Sequence, residues 1–321
     1  TVVRVNGELR KYTELSDQVV NRTILSILSA EQEKMLTEGK DIDFSFELKN
    51  GARQRVNVFR QSGKLAACIR LLNAEIPTLE ELKMPPVLLE FAKKRRGLVL
   101  VTGPTGAGKS TMEYINKTRA CHVITIEDPI EYRYKQEKAT IHQRELGRDV
   151  PSFHEALRSA LREDPDVILI GEMRDYETIS LAMTAAETGH LVFGTLHTSS
   201  AAQTVDRIID ACPIHSQDQV RSQLASMIQG IIAQTLIPRA DGKGRVAAVE
   251  VMIGTDAIRN LIRSAKINMM ETTMAAGARD GMCTLNASLA NLYKTGQISY
   301  ETALEYATDR GEMEKKLLSG I

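Results

Sequence analysis

Continuous apolar runs recur in the chain after residue 97, and small or polar residues follow each of them. Four of these runs are short and rich in Val, Ile and Leu: GLVLVTG, HVITIED, DVILIGE and HLVFGTLH. Strands that are buried on both faces of a parallel sheet have this composition, and functional residues collect at their carboxyl ends. The pattern predicts a parallel sheet in an α/β domain, with candidate chemistry along one edge.

The first part of the chain alternates instead between apolar and polar positions. VVRVNGEL alternates up to the turn pair Asn6-Gly7, and FSFEL and RQRVNVF alternate around Asn50-Gly51. Between these segments, DQVVNRTILSILSAEQEKMLTEG has apolar residues at helical spacing, which predicts one helix. Short strands around one helix indicate a small α+β domain.

A connecting stretch with a short helix is predicted for residues 77–86, and it leads to the basic run Lys93-Lys94-Arg95-Arg96. The run is most simply a solvated linker or helix end, and a binding patch is the alternative. Helical spacing dominates after Ala201, with a hairpin predicted through residues 236–251. These signals divide the chain into a domain at 1–92, a basic linker at 93–96 and a second domain at 97–321.

Composition narrows the classes of function. The 41 Lys and Arg residues balance 41 Asp and Glu residues, so the net charge is zero and a nucleic-acid-binding protein is disfavoured. No apolar run reaches the roughly 18 residues of a membrane helix, and the first residues do not resemble a signal peptide. We therefore expect a soluble cytosolic protein. Reduced, mostly buried thiols fit the four widely spaced cysteines better than a zinc site or disulfides: Cys68, Cys121, Cys212 and Cys283.

A phosphate-binding loop follows the first apolar run of the second domain. It matches GxxxxGK[ST] in full: Gly103, Pro104, Thr105, Gly106, Ala107, Gly108, Lys109, Ser110 and Thr111. Such a loop points backbone N–H groups at the β-phosphate, and the helix that follows adds its positive end. We expect Lys109 to reach the β- and γ-phosphates, Ser110 to bind Mg²⁺ and Thr111 to contact the α-phosphate. A glycine turn that only joins strand to helix is the alternative.

Hydrolysis also requires a group that orients or deprotonates water. Glu172 follows the run VILI, and Gly171 stands where many P-loop proteins have an Asp for the metal. We therefore predict that Glu172 activates water and contacts the metal through a water molecule.

Further carboxylates follow the run HVITI, in Glu127-Asp128-Pro129-Ile130-Glu131. Because Pro129 prevents a regular helix, these acids are expected on a loop at the carboxyl edge of the sheet. A solvated turn is the alternative, but the neighbouring phosphate loop favours a functional role.

The last apolar run ends in Thr195-Leu196-His197-Thr198. His197 is a candidate to sense the γ-phosphate or to hold Glu172, because a neutral imidazole can hydrogen-bond to either near pH 7. A purely structural histidine is the alternative. Its position directly after a buried strand favours the functional interpretation.

Together these motifs resemble the secretion ATPase superfamily, in particular its PilT-type branch, the retraction motors of type IV pili. GPTGAGKST resembles the Walker A motif and TIEDPIEY the Asp box of the family. LREDPDVILIGEMRD resembles its Walker B motif, and TAAETGHLVFGTLHTSSAAQTVDRI its His box. GRVAAVEVMIGTDAIRNLIR resembles the carboxyl-terminal signature of the branch. The match extends over nearly the whole chain.

The resemblance implies an N-terminal PAS-like α+β domain, a RecA-like P-loop ATPase domain and a helical carboxyl-terminal end from about residue 255. It implies a ring of six subunits, with ATP and Mg²⁺ bound between the domains and near a subunit boundary. Residues 257–263, AIRNLIR, are implied to couple the protein to a partner or to motion. The resemblance assigns catalytic roles to Glu172 as the acid, Glu127 and Glu131 in the Asp box, His197 as the sensor, and Arg55 and Arg70 as contacts to the phosphates.

The expected function is Mg²⁺-dependent ATP hydrolysis by a homohexameric motor that drives type IV pilus retraction. Its partner would be the inner-membrane pilus platform protein, with no nucleic acid and no direct membrane insertion, so the protein would lie in the cytoplasm at the inner membrane. The alternatives are a pilus assembly or type II secretion ATPase, a RecA-like nucleic-acid translocase and a nucleotide-gated adaptor.

The chain departs from relatives of this branch at two places. It begins inside a predicted strand, where relatives carry further residues, and the helix after the phosphate loop is only about ten residues long. The first domain is therefore expected to be truncated before Thr1, and after Thr111 either residues are lacking or the helix is short. This expectation affects adenine-side packing and leaves the phosphate contacts unchanged.

Overall fold

The computed structural model describes residues 1–5, 8–49, 51–72, 76–103 and 107–318. Its internal contacts divide the chain into two units. The smaller unit comprises Thr1–Ile76 together with Pro129–Arg133, and the larger comprises Pro77–Asp128 together with Tyr134–Ile321. None of the described helices combines the length and the apolar composition that crossing a lipid bilayer requires.

In the smaller unit, two antiparallel sheets and two helices are described. A two-stranded sheet pairs the first two strands, and a three-stranded sheet has the order β3-β4-β5. The elements are β1 (Val2–Val5), β2 (Glu8–Lys11), α1 (Asp17–Leu25), α2 (Ala30–Thr37), β3 (Ile42–Glu47), β4 (Arg53–Gln61) and β5 (Lys64–Leu71). The α+β character and the pairing of β3 with β4 agree with the alternating pattern.

The prediction of a single helix between these sheets is wrong, because two helices occupy the segment. Ser26 ends α1, and its backbone N–H donates to the carbonyl of Arg22. Ser29 then begins α2 with a capping box, in which its hydroxyl accepts from the N–H of Gln32 and the Gln32 side chain accepts from the N–H of Ser29. The capping box pairs N–H groups at the start of α2 that have no partner within that helix, which marks the start of a second helix.

A seven-stranded sheet forms the centre of the larger unit, in the order β12-β11-β6-β10-β9-β7-β8. Neighbouring strands are parallel from β11 to β8, and only β12 is antiparallel. The strands are β6 (Gly97–Thr102), β7 (His122–Glu127), β8 (Thr140–Glu145), β9 (Val167–Ile170), β10 (Leu191–Leu196), β11 (Ile228–Pro238) and β12 (Arg245–Ile253). The parallel sheet and the later hairpin predicted from the sequence are therefore confirmed, whereas β8 was not predicted.

Helices cover both faces of this sheet. In β6, Leu98 and Leu100 belong to one buried cluster and Val99 and Val101 to another, as expected for a strand with a core on each side. The helices are α3 (Val87–Lys93), α4 (Ala107–Thr118), α5 (Phe153–Ala160), α6 (Tyr176–Glu187), α7 (Ala201–Asp210), α8 (Gln217–Met227), α9 (Asp256–Arg263), α10 (Met270–Ala276), α11 (Leu285–Lys294), α12 (Tyr300–Glu305) and α13 (Arg310–Leu318).

The contact-based division between the units falls at Ile76–Pro77 and therefore differs from the predicted linker at residues 93–96. The reason is that residues before the basic run pack into the core of the larger unit. Leu88 and Phe91 of α3 are fully buried in the cluster that contains Val99. Residues 77–96 therefore belong to the larger unit, and the basic run begins at the last residue of a helix that is part of its core.

Helices dominate the end of the chain, as predicted for the region from about residue 255. In α9, which contains the whole AIRNLIR segment, Ile258, Leu261 and Ile262 are buried and Arg263 is exposed. Arg259 donates from Nη2 to the carbonyl of Ile228 at 3.0 Å. The helix is amphipathic, and one of its arginines is fixed to the start of β11.

All four cysteines are free thiols, which agrees with the expected reduced state. The expectation that they are mostly buried is wrong for Cys68, which is exposed on β5, whereas Cys212 is buried. Burial raises the pKa of the Cys212 thiol.

Candidate active site

The phosphate loop leaves the sheet directly after β6. Gly103 has φ +107°, a backbone conformation that side chains rarely allow. A Cβ at this position would lie 2.1 Å from the carbonyl oxygen of Gln234 in the neighbouring strand. Both the turn and the close approach therefore require glycine. Pro104, Thr105 and Gly106 of the motif lie outside the described residues, and α4 begins at Ala107.

The first turns of α4 carry the remaining residues of the motif. Lys109 is partly exposed, and its carbonyl accepts a hydrogen bond from Tyr134 Oη at 3.3 Å. Ser110 and Thr111 are buried, and Ser110 Oγ donates to the carbonyl of Pro77 at 2.6 Å. This bond uses the hydroxyl proton of Ser110, so the lone pairs of its oxygen remain able to accept or to bind a cation.

Glu172 lies just beyond the end of β9, and hydrogen bonds fix the backbone on both sides of it. The N–H of Gly171 donates to the carbonyl of Ile126 at 2.7 Å, and the N–H of Met173 donates to the carbonyl of Thr195 at 3.0 Å. Thr195 Oγ1 also donates to the carbonyl of Gly171. The ends of β7 and β10 therefore determine where Glu172 leaves the sheet.

Residue 171, directly before Glu172, is a glycine because the structure leaves no space for a side chain there. A Cβ on Gly171 would lie 2.8 Å from the carbonyl oxygen of Ile126 and 3.1 Å from the Cα of Glu127. Both neighbours are backbone atoms of β7, and a side chain at residue 171 requires the two strands to separate. The aspartate that many P-loop proteins have at this place does not fit this strand spacing.

Two cationic or polar side chains contact the Glu172 carboxylate. Arg174 Nη2 lies 2.5 Å from Oε2, and His197 Nε2 lies 3.4 Å from Oε1. Burial by itself raises the pKa of Glu172, but the hydrogen bond and charge of Arg174, followed by His197, outweigh it and lower the pKa below its ordinary value. Glu172 is therefore a carboxylate at neutral pH.

The acids after β7 are distributed over both units. Glu127 is buried at the end of β7, and its Oε1 accepts from Thr125 Oγ1 at 2.8 Å and from Gln143 Nε2 at 3.1 Å. Glu131 lies on the segment Pro129–Arg133, which belongs to the smaller unit. Within that unit, Ser45 Oγ donates to the carbonyl of Ile130 at 2.9 Å. The sheet edge of the larger unit thus contains Glu127 and Glu172 but not Glu131.

The two predicted phosphate-binding arginines face each other across two strands of the smaller unit. Arg55 on β4 is the register partner of Arg70 on β5, so both side chains lie on one face of the sheet. Arg55 also forms an ion pair with Asp43 on β3, with 2.8 Å between Nη2 and Oδ2. The carboxylate of Asp43 offsets the repulsion between two cations at neighbouring positions.

Sequence reasoning did not assign a role to Arg174, Thr125 or Gln143, each of which contacts a candidate catalytic carboxylate. For two of these residues, the spacing in the sequence could have indicated the contact. Thr125 and Arg174 each stand two residues from the carboxylate that they contact. Gln143 lies on β8, which the apolar pattern did not reveal.

The comparisons with known proteins find relatives over nearly the whole chain. The family of type II/IV secretion system proteins matches residues 3–314. The twitching motility protein of Neisseria gonorrhoeae is 47% identical over 319 residues, which are 97% of this chain and 85% of that protein. The type IV pilus retractation ATPase PilT of Pseudomonas aeruginosa is 50% identical over 313 residues, which are 95% of this chain and 91% of that protein.

A solved structure shows the same similarity in three dimensions. The crystal structure of the pilus retraction motor PilT with bound ADP has a TM-score of 0.87 and 46% identity to this chain, and the match covers 98% of this chain and 92% of that one. The resemblance inferred from the motifs is thereby confirmed. The chain belongs to the type II/IV secretion system protein family, in its branch of PilT-type pilus retraction ATPases.

Proposed function

We propose that the protein is a Mg²⁺-dependent ATPase whose homohexameric ring drives type IV pilus retraction. The observation that carries this proposal is the ionised Glu172, fixed at the carboxyl edge of the parallel sheet whose strand β6 leads into the phosphate loop. The names of the similar proteins, a twitching motility protein and a pilus retraction motor, support pilus retraction as the biological function. PAS-like and RecA-like are the fold types that we propose for the smaller and larger units.

Nucleotide binding is assigned to the phosphate loop and the start of α4. Backbone N–H groups at a helix N-terminus bind phosphate oxygens, and the Lys109 ammonium adds a charge for the β- and γ-phosphates. Thr111 is assigned to the α-phosphate. These groups orient the triphosphate, which is the main contribution that a protein makes to phosphoryl transfer.

The residues present fit a magnesium ion. Mg²⁺ prefers oxygen ligands and is usually bound by one or two protein groups together with water and substrate phosphates. The buried Ser110 hydroxyl oxygen keeps its lone pairs, and Glu172 supplies a carboxylate for contact through water. When bound, the ion neutralises charge that develops on the phosphate oxygens.

Glu172 is assigned to the attacking water. As a carboxylate it can accept a proton from water or hold the water by a hydrogen bond, and His197 contacts its second oxygen. Glu127 and Glu131 are assigned to the Asp box. The proposed role of Arg55 and Arg70 is to neutralise phosphate charge, since a guanidinium matches phosphate geometry.

We further propose that the ring works in the cytoplasm and contacts the inner membrane through the pilus platform protein. Deletion of the gene in the native cell tests the function. A retraction motor predicts more surface pili together with lost twitching motility, and an assembly ATPase predicts cells without pili. Expression of the wild-type gene should restore both properties, whereas the Lys109→Ala variant should restore neither. Normal pilus number and normal twitching after deletion would refute the proposal.

A further inference from the structure

The side chain of Glu172 needs a partner to define its position. Its backbone is fixed by the hydrogen bonds of Gly171 and Met173, but a glutamate side chain still rotates about three bonds. Ordering such a side chain costs up to about 2 kcal/mol of rotamer entropy. A group that activates water must also be held within about 0.5 Å of its working position. Contacts to the carboxylate itself therefore decide how well Glu172 is placed.

Arg174 makes the shorter of the two contacts to this carboxylate. Its Nη2 lies 2.5 Å from Oε2, whereas the distance from His197 Nε2 to Oε1 is 3.4 Å. Both partner side chains are largely exposed, Arg174 at 66% and His197 at 73%, so distance and charge distinguish the two contacts. An arginine is cationic at every relevant pH, and its hydrogen bond to a carboxylate is of the strong, charge-assisted kind.

A helix cap fixes the backbone next to Arg174, and an acidic residue contributes to the charge around its side chain. It lies between β9 and α6, and the next residue, Asp175, begins α6 by accepting the N–H of Thr178 at 2.8 Å. The pKa of Arg174 is raised above its ordinary value, mainly by the hydrogen bond to Glu172 and to a smaller extent by the charge of Asp128. Asp128 directly follows β7, the neighbour of β9 in the sheet.

We propose that Arg174 is a positioning residue for ATP hydrolysis, whose guanidinium holds the Glu172 carboxylate in place at the carboxyl end of β9. The inference rests on the proposed role of Glu172 in activating water. Arg174 itself takes no proton and forms no bond to the nucleotide in this role. Its removal therefore affects the chemical step and leaves binding of ATP intact.

Steady-state ATP hydrolysis by the purified full-length ring tests the proposal. Arg174→Gln should lower kcat by about 10- to 100-fold, the penalty expected when a catalytic group is misplaced by about 1 Å. KM for ATP should stay within about twofold, because the phosphate loop is unchanged. Arg174→Lys should recover at least about a third of the wild-type kcat, since an ammonium still offers a charge and donors to the carboxylate.

The chain offers a matched control in Arg239, which also bonds a carboxylate two residues away. Its Nη2 lies 2.9 Å from Asp241 Oδ2, in the turn between β11 and β12. Arg239→Gln should retain the wild-type kcat and KM. Binding of a fluorescent ADP analogue and thermal unfolding of every variant establish that the proteins are folded, so that a low kcat in Arg174→Gln reports on hydrolysis.

Glu172→Gln, measured in parallel, separates the two proposals. If Glu172→Gln is inactive while Arg174→Gln keeps the wild-type kcat, Arg174 has no positioning role and the proposed function stands. If Arg174→Lys is as slow as Arg174→Gln, the charge-based account of positioning is refuted. If Glu172→Gln hydrolyses ATP at the wild-type rate, the role of Glu172 fails, and that of Arg174 fails with it.

Discussion

Replacement of Gly171 by alanine tests whether the close approach of β9 to β7 determines the residue before Glu172. The added Cβ would lie 2.8 Å from the carbonyl oxygen of Ile126, where ordinary contact begins at 3.4 Å. Neither neighbour can rotate away, because both contacts are to backbone atoms of β7. The strands must separate, and the hydrogen bond from Gly171 to Ile126 must lengthen.

The cost follows from these two effects. Overpacking of a dense core destabilises by about 1–3 kcal/mol, and loss of a hydrogen bond adds about 0.5–1.5 kcal/mol. We therefore expect Gly171→Ala to lower the free energy of unfolding by about 2–4 kcal/mol. For a unit of this size each kcal/mol shifts Tm by about 2–4 °C, which gives a decrease of about 5–15 °C. Because Glu172 is the next residue, kcat should fall as well.

Thermal unfolding followed by circular dichroism measures the change, with ATP turnover measured on the same samples. Gly311→Ala in α13 is the matched control, because its new Cβ would approach only Asp309 Oδ1, at 3.5 Å. Alanine favours a helix over glycine by about 0.5–1 kcal/mol, so this variant should be as stable as the wild type or more so. A Tm for Gly171→Ala within about 2 °C of the wild type would refute the steric argument.

Three further outcomes are expected. Lys109→Ala should abolish binding of a fluorescent ADP analogue, and unchanged affinity would contradict the assignment of the phosphate loop. Thr125→Val removes a donor to the buried Glu127 and should lower the free energy of unfolding in urea by about 1–3 kcal/mol, whereas an unchanged urea midpoint would contradict this contact. Hydrogen bonds from Arg239 and from the Lys243 N–H lower the pKa of Asp241 to about 2, so NMR titration should show a higher value in Arg239→Gln; an unchanged value would exclude the arginine as its cause.

The parallel sheet could be predicted because its strands are buried on both faces. In β6, β7, β9 and β10 nearly every residue is buried, and Val, Ile and Leu predominate in these short strands. The edge strand β8 has the sequence TIHQRE, in which only Ile141 and Glu145 are buried. Its apolar signal is therefore too weak to distinguish the strand from a loop.

Helix capping and core packing explain the other differences in the fold. Ser29 and Gln32 form a capping box inside a segment whose apolar spacing predicts one continuous helix. The spacing of apolar residues indicates which face of a helix is buried. The same spacing continues from α1 into α2 because both helices pack in the same core cluster. Similarly, the basic residues at 93–96 suggested a linker, although the burial of Phe91 joins the preceding segment to the larger unit.

The candidate site could be predicted as a set of residues but not as a set of contacts. Glu172 and His197 follow neighbouring parallel strands, so the sequence places them at one edge of the sheet. The 2.5 Å contact between Arg174 and Glu172 depends on the conformation of two side chains near a turn. Turns leave no periodic pattern in the sequence from which such a contact could be predicted. The steric requirement for Gly171 likewise appears only when the spacing of β9 and β7 is known.

The claim that Glu172 activates the attacking water is tested most directly by the Glu172→Gln variant of the purified protein, with ATP affinity and ATP turnover measured on one preparation. Glutamine has nearly the same shape but cannot accept the proton. The account predicts wild-type affinity for ATP and a decrease in turnover of about 10²- to 10⁴-fold, the usual contribution of general-base catalysis. Turnover at the wild-type rate would contradict it.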